Sequence, residues 1–261
     1  MFSDHDLNEE DFERYEWQLS VRGFGEAGQS KLKKATVLIS RIGGVGGVVA
    51  MQLAAAGVGR LILAHAGNIR LNDLNRQLLM TTESIGQPRA TIAARTLHSL
   101  NPTIRIEAIP ENICAANAAQ LIQQCDVVVS AAPLFDERLT LNDAAVGLGK
   151  PLVDCAMYEL EGRLMTVLPH DTACLRCLYA TSPPNWKRQF PVFSAVSSTV
   201  GSLAAMEVIK LISGCAQPML GRMLVFNLRD MSFRMLQVMR RSSCEACGNQ
   251  NANPALGQLG S

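Results

Sequence analysis

The chain has 261 residues, and 24 Lys+Arg against 23 Asp+Glu leave a formal net charge of +1. That balance excludes binding to nucleic acid or an anionic membrane as the main driving force, because both rest on a clear basic excess. Apolar residues make up 48% of the chain, enough at this length to bury the core of one large α/β domain, with or without a small appendage.

Met1 to Glu16 is acidic and amphipathic and lacks the basic-then-apolar order of a signal peptide, so a reducing, cytoplasmic location is expected. Thr36–Ser40 is a β-branched run placed directly before a cluster of glycines, and Val48–Ala56 is rich in helix formers. The order is strand, tight turn, helix. The uncharged stretch Ile42–Gly59 contains six glycines and Gln52, which marks a turn feeding a buried helix rather than a membrane span. Arg60–His65 reads as a second strand, Pro88–Leu100 as a helix and Ile104–Ile109 as a third strand. Asp126–Ala131 reads as a strand, Asp136–Leu148 as a helix and Leu152–Cys155 as a strand. Strands and helices that alternate in this way predict a mostly parallel sheet covered on both faces. Later, Gly162–Leu168, Met223–Leu228 and Ser232–Val238 read as less regular, antiparallel strands around a long helix over Val200–Ile212. The predicted division is one domain over 1–248 and a disordered tail over 249–261.

The eight cysteines point to a metal rather than disulfides in a reducing compartment. Cys174-Leu-Arg-Cys177 and Cys244-Glu-Ala-Cys247 are two C-x-x-C pairs in predicted loops. One such pair alone is as readily a chance or redox pair. Two pairs complete a tetrahedral thiolate shell, which suits a closed, structural zinc that clips the end of the chain to its middle. Cys114, Cys125, Cys155 and Cys215 stand in apolar or helical contexts and read as buried, inert thiols.

Gly43-Gly44-Val45-Gly46-Gly47 lies between a strand and a helix, where backbone N–H groups can meet a phosphate. Alone it is a weak signal, because tight strand–helix packing also selects glycine. Its neighbours narrow the reading: Arg14-Tyr15, Gly28-Gln29, Ala56-Gly-Val-Gly59, Leu74-Asn-Arg-Gln77, Gly86-Gln-Pro-Arg89, Asn101-Pro102, both C-x-x-C pairs and Gly201–Lys210. With these segments in order the chain resembles the ThiF/MoeB/HesA family, bacterial relatives of ubiquitin-activating enzymes, over residues 12 to 248. The resemblance implies a Rossmann-like adenylation fold, a structural zinc, a dimer, and adenylation by ATP and magnesium of the Gly-Gly carboxylate of a ubiquitin-like sulfur carrier. By the same match Gly43, Gly44, Gly46, Arg76, Gln77 and Arg89 are the expected nucleotide-site residues.

Several positions depart from the family pattern. Arg41 stands where the first glycine is expected, and His65 and Gly67 where acids usually grip the ribose. Asp73 replaces an asparagine, Arg89 a lysine, and Trp17 the arginine that crosses the dimer. Anchored on Arg138 and Asn142, Pro133 and Leu134 fall at the magnesium aspartate and its asparagine, and neither side chain can ligate an ion. Asp136 could substitute only if the loop were rebuilt. With acids lost and Arg41 gained, the site is expected to be shifted toward positive charge. Leu178 to Gly201 holds no cysteine for a thioester, but it holds the basic and aromatic run Trp186–Phe190, either a solvated loop or a partner contact.

These departures predict a member without assigned catalytic residues, whose ATP and magnesium binding is impaired or absent. Such a member would interact with a ubiquitin-like sulfur carrier or an intact paralogue, as a homo- or heterodimer. The alternative is an active adenylyltransferase with a rebuilt site. A nicotinamide-dependent oxidoreductase shares the glycine turn, but the ordered family segments and the cysteine pairs argue against it.

Overall fold

The structure, a computed structural model, describes residues 7–183 and 191–248. The cluster at 186–190 and the tail from 249 lie outside the described residues. The chain opens with two helices, α1 (Glu9–Leu19) and α2 (Gly25–Lys34), and then alternates β1 (Thr36–Ser40), α3 (Gly44–Ala55), β2 (Arg60–Ala64), α4 (Arg89–Leu100) and β3 (Arg105–Ile109). It continues through α5 (Ala118–Ile122), β4 (Val127–Ser130), α6 (Phe135–Gly147), β5 (Leu152–Tyr158), β6 (Glu161–Val167), α7 (Leu175–Leu178), α8 (Ser194–Ser213), β7 (Arg222–Asn227) and β8 (Ser232–Gln237).

The strands form one sheet in the order β3-β2-β1-β4-β5-β6-β7-β8. Pairing is parallel from β3 to β5 and antiparallel from β5 to β8. The central strands are apolar at nearly every position because both faces are covered. Val37 and Ile39 of β1, with Leu61 and Leu63 of β2, face the core under α3, α4 and α8. Leu38 and Ile62 face the opposite core under α5 and α6. The fold class is therefore as expected, α/β with a mostly parallel sheet and antiparallel C-terminal strands.

Four local readings need correction. β6, β7 and β8 keep a continuous register and are not irregular. α8 begins at Ser194, six residues before the expected start, and Cys174–Cys177 lies on the short helix α7 rather than wholly in a loop. Cys114 is exposed and Cys215 half-buried, so only Cys125 and Cys155 fit the buried reading. By length and composition α8 could also cross a membrane. Here it packs against α3, and at the crossing a Cβ on Gly201 would come within 2.8 Å of the Val45 carbonyl.

Most of the family segments outside the glycine turn are structural. Tyr15 is buried on α1, and its hydroxyl accepts from the Asn101 amide at 2.9 Å, while the same amide nitrogen donates to the Ala54 carbonyl at the end of α3. Gln18 and Gln29 both donate to the Ala56 carbonyl. Gly57 has φ +82, and a Cβ there would lie 2.4 Å from the Tyr15 hydroxyl. These residues close the C-terminal end of α3 against α1 and α2, and so fix the helix whose other end meets the glycine turn.

Candidate functional site

β1 has β2 on one side and β4 on the other, so the chain leaves it in opposite directions and a crevice opens at the strands' C-terminal ends. It forms a cleft of about 350 Å³, lined by Gly43, Gly44 and Val45 of the glycine turn. The first N–H groups of α3 have no acceptor within the helix, and Gly43 offers no side-chain cap. They are therefore donors for an anion. Gly46 serves the turn itself, since a Cβ there would lie 2.3 Å from the Arg41 carbonyl and only glycine lets β1 bend into α3.

Of the expected site residues, Gly43, Gly44, Arg76, Gln77 and Arg89 all line the cleft, and Asp73 organises them. Asp73 is buried, and its Oδ2 accepts from Arg89 Nη2 at 2.9 Å and from the Arg70 backbone N–H at 3.0 Å. Its Oδ1 accepts from Gln77 Nε2 at 2.9 Å and from Arg76 Nη2 at 3.3 Å. One carboxylate thus holds two guanidinium groups and an amide, which its reading as a lost asparagine misses. Arg89 also donates to the Asn68 carbonyl and sits 3.2 Å from His65 Nε2. A guanidinium can only donate, so Nε2 is the acceptor and the His65 proton lies on Nδ1. Where an acid would grip a ribose, this chain has an imidazole turned toward an arginine.

Arg41 lines the cleft at φ +61, a left-handed conformation rare for residues other than glycine and costing on the order of 1–3 kcal/mol. Its side chain is nearly buried, and its Nε and Nη2 donate to Glu137 Oε2 at 2.7 and 2.6 Å. Glu137 lies in the first turn of α6 and is 6% exposed. Glu137 thus balances the charge of Arg41. Nothing marked Glu137 in the sequence except its place four residues after Pro133.

Arg138 makes a fork on Asp154, Nε to Oδ1 at 3.0 Å and Nη2 to Oδ2 at 2.5 Å, with its guanidinium over the Phe135 ring at 4.6 Å. Asn142, the other anchor of the family match, accepts the Leu175 N–H at 2.8 Å and holds α7 against α6. Pro133 lines the cleft where a magnesium ligand is expected. Asp136 is exposed, does not line the cleft, and accepts from the Ser182 hydroxyl. Each carboxylate near β4's end therefore already has a cationic or hydroxyl partner, and the residues present do not fit a magnesium ion, which requires carboxylate oxygens in octahedral geometry. Trp17, at the position expected to reach a partner's phosphates, is 89% exposed on α1.

The four cysteines of the C-x-x-C pairs come together. Their sulfurs lie within 4.8 Å of one another, with Cys174–Cys244 at 3.7 Å and Cys177–Cys247 at 3.5 Å. Zinc–sulfur bonds of about 2.3 Å in a tetrahedron place sulfurs roughly 3.8 Å apart, so the donor set fits. The Arg241 N–H points at Cys177 Sγ from 3.4 Å. Burial opposes ionisation of Cys244, but the backbone N–H groups of Cys247 and Ala246 bring its pKa down to about 7. Cys155 lines the cleft, yet burial raises its pKa and its thiol donates to the Ser130 carbonyl. It is held neutral.

A family profile described as ThiF matches residues 15–247. The chain is 44% identical over 243 residues to the heterocyst HesA protein of Trichormus variabilis, spanning 93% of this chain and 91% of that one. It is 38% identical over 251 residues to the sulfur carrier protein adenylyltransferase of Thermus thermophilus, covering 92% of each. Among solved structures, Escherichia coli MccB with MccA-N7isoASN superposes with a TM-score of 0.82 at 24% identity, covering 95% of this chain and 77% of that one. That last likeness concerns the fold alone. Profile, relatives and cleft agree, and the chain belongs to the ThiF family.

Proposed function

We propose that this chain is a ThiF-family protein that engages a ubiquitin-like sulfur carrier or an intact paralogue, with magnesium-dependent adenylation weak or absent in its own cleft. A dimer with a second copy or a paralogue, a structural zinc on the four cysteines and a cytoplasmic location belong to the same reading. The observation that carries it is the end of β4, where Pro133 lines the cleft and the neighbouring Asp136, Glu137 and Asp154 are held by Ser182, Arg41 and Arg138. Adenylation brings a carboxylate oxygen to the α-phosphorus and expels pyrophosphate, so it needs cations on the leaving group. Each lost electrostatic contact of that kind costs on the order of 2.7–4 kcal/mol of transition-state stabilisation.

ATP–pyrophosphate exchange tests this directly. The isolated protein, offered Gly-Gly-ending carriers with ATP and magnesium, is expected to exchange no faster than the background, while a carrier or paralogue co-elutes with it in gel filtration. Pro133→Asp that raises exchange would support the missing carboxylate as the cause. Robust exchange by the unaltered protein contradicts the reading. The second reading, an active adenylyltransferase that feeds sulfur transfer to molybdopterin, thiamin or a specialised metabolite, is favoured by the identity to the Thermus thermophilus enzyme over nearly the full length of both chains. It predicts magnesium-dependent release of AMP in the same assay.

A further inference from the structure

We infer that the metal clip sets one wall of the cleft: filling of the four-cysteine site and the seating of Tyr179 against Phe135 are coupled through α7, so that metal loading governs the shape of the cleft. This coupling rests on the reading that the four cysteines hold zinc, and it gives that zinc a role beyond closing the end of the chain.

The shared element is α7. It has four residues, too few to hold a helix by its own hydrogen bonds, so its shape comes from what grips it. One grip is the clip. Cys174 caps the start of α7 and Cys177 lies within it. From the segment of the other cysteine pair, the Arg241 N–H points at Cys177 Sγ from 3.4 Å and the Arg241 guanidinium donates to the Arg176 carbonyl. The second grip is α6. The Leu175 N–H donates to the buried Asn142 Oδ1 at 2.8 Å, and Arg176 forks on Asp143, with Nε 3.1 Å from Oδ1 and Nη2 2.7 Å from Oδ2.

Tyr179 carries these contacts into the cleft. It follows α7, two positions after Cys177, and its N–H closes the helix on the Leu175 carbonyl at 2.8 Å. Its ring lines the cleft edge-on to Phe135, with the centroids 4.9 Å apart, and its hydroxyl accepts from Arg163 Nη1 at 3.1 Å. Phe135 opens α6 and lies under the Arg138 guanidinium, which is also 5.9 Å from the centre of the Tyr179 ring. The stretch from Cys174 to Tyr179 thus holds two metal ligands and a cleft wall on one turn of helix. Without the metal α7 keeps only its α6 grip, loosens, and lets Tyr179 leave Phe135. Linkage makes the effect reciprocal, so a weakened wall must also weaken the hold on the metal.

The deciding experiment titrates the whole zinc-loaded protein with a chromophoric chelator and compares Tyr179→Ala and Tyr179→Phe with the parent. Tyr179→Ala removes the ring from Phe135 without touching a sulfur, and it is expected to weaken zinc by about fivefold or more. Tyr179→Phe keeps the ring and is expected to hold zinc as the parent does. Hydrogen exchange of the parent with and without zinc reads the opposite direction. Loss of zinc speeds exchange around the cysteines in any account of the clip; the coupling predicts faster exchange in α6 from Phe135 to Asn142 as well, with α3 unchanged. Three results would overturn the coupling and leave the zinc reading standing: Tyr179→Ala holding zinc as tightly as the parent, Tyr179→Phe holding it as weakly as the alanine variant, or exchange confined to the cysteine segments. Were Tyr179→Ala to misfold, the exchange of the parent still decides. A parent that takes up no zinc contradicts the zinc reading itself, and the coupling with it.

Discussion

Asp73 shows how a single residue changes meaning between sequence and structure. In the sequence it is a departure from an expected asparagine. In the fold it is the one carboxylate that Arg89, Arg76 and Gln77 share. Asp73→Ala would leave the 6% exposed Arg89 without its anion, and breaking a buried pair from one side costs about 3–5 kcal/mol. A clear drop in the denaturant midpoint is therefore expected. The thiols separate in the same residue-by-residue way. Exposed Cys114 should be alkylated in the native protein, while Cys125 and Cys155 should react only on unfolding, which peptide mapping after a brief iodoacetamide pulse would read. Burial raises Cys125 from 9.0 to about 12. The unfolded chain releases this proton first, so Cys125 contributes its full share of stability below pH 9.0 and loses it progressively towards about 12. Melting temperature is expected to fall across that window, and less steeply in Cys125→Ala.

Among the elements, the contact between α3 and α8 decides where the cleft lies. Gly201 lets α8 approach the first turn of α3, and Ser197 of α8 would meet a Cβ on Gly44 at 3.0 Å. Gly201→Val forces the helices apart and is expected to destabilise by about 1–3 kcal/mol, with binding in the cleft weakened as well. The elements themselves were largely legible. β1 and β2 were readable because both-face burial demands uninterrupted apolar runs, and α3 because its small residues follow a glycine turn. The early start of α8 was not readable, since four of the six residues from Ser194 to Thr199 are Ser or Thr, which favour caps and turns over helix interiors. The short α5 and α7 carry too few residues for a periodic pattern. In the site, the family resemblance implied the glycines, Arg76, Gln77 and Arg89, and the spacing of the two C-x-x-C pairs placed the four cysteines, because motif residues lie close in sequence. The Arg41–Glu137 and Arg138–Asp154 pairs span 96 and 16 residues, and no local pattern announces a contact made across a crevice.

On the scale of the whole molecule, the two C-x-x-C pairs join segments 70 residues apart, so a metal there closes a long loop between α7 and the end of the described chain. Zinc removal by a strong chelator, or Cys244→Ser, is expected to lower the melting temperature and open the C-terminal segment to proteolysis, while the parallel half of the sheet keeps its secondary structure. On the proposed reading, the molecule keeps the glycine turn, the cleft and the family scaffold for handling a carrier, and has given up the metal that drives the chemistry. The most direct measurement of that claim is the intact mass of a Gly-Gly-ending carrier after incubation with the purified protein, ATP and magnesium. The expected result is a carrier of unchanged mass that co-elutes with the protein; accumulation of a carrier bearing one added AMP would contradict the claim.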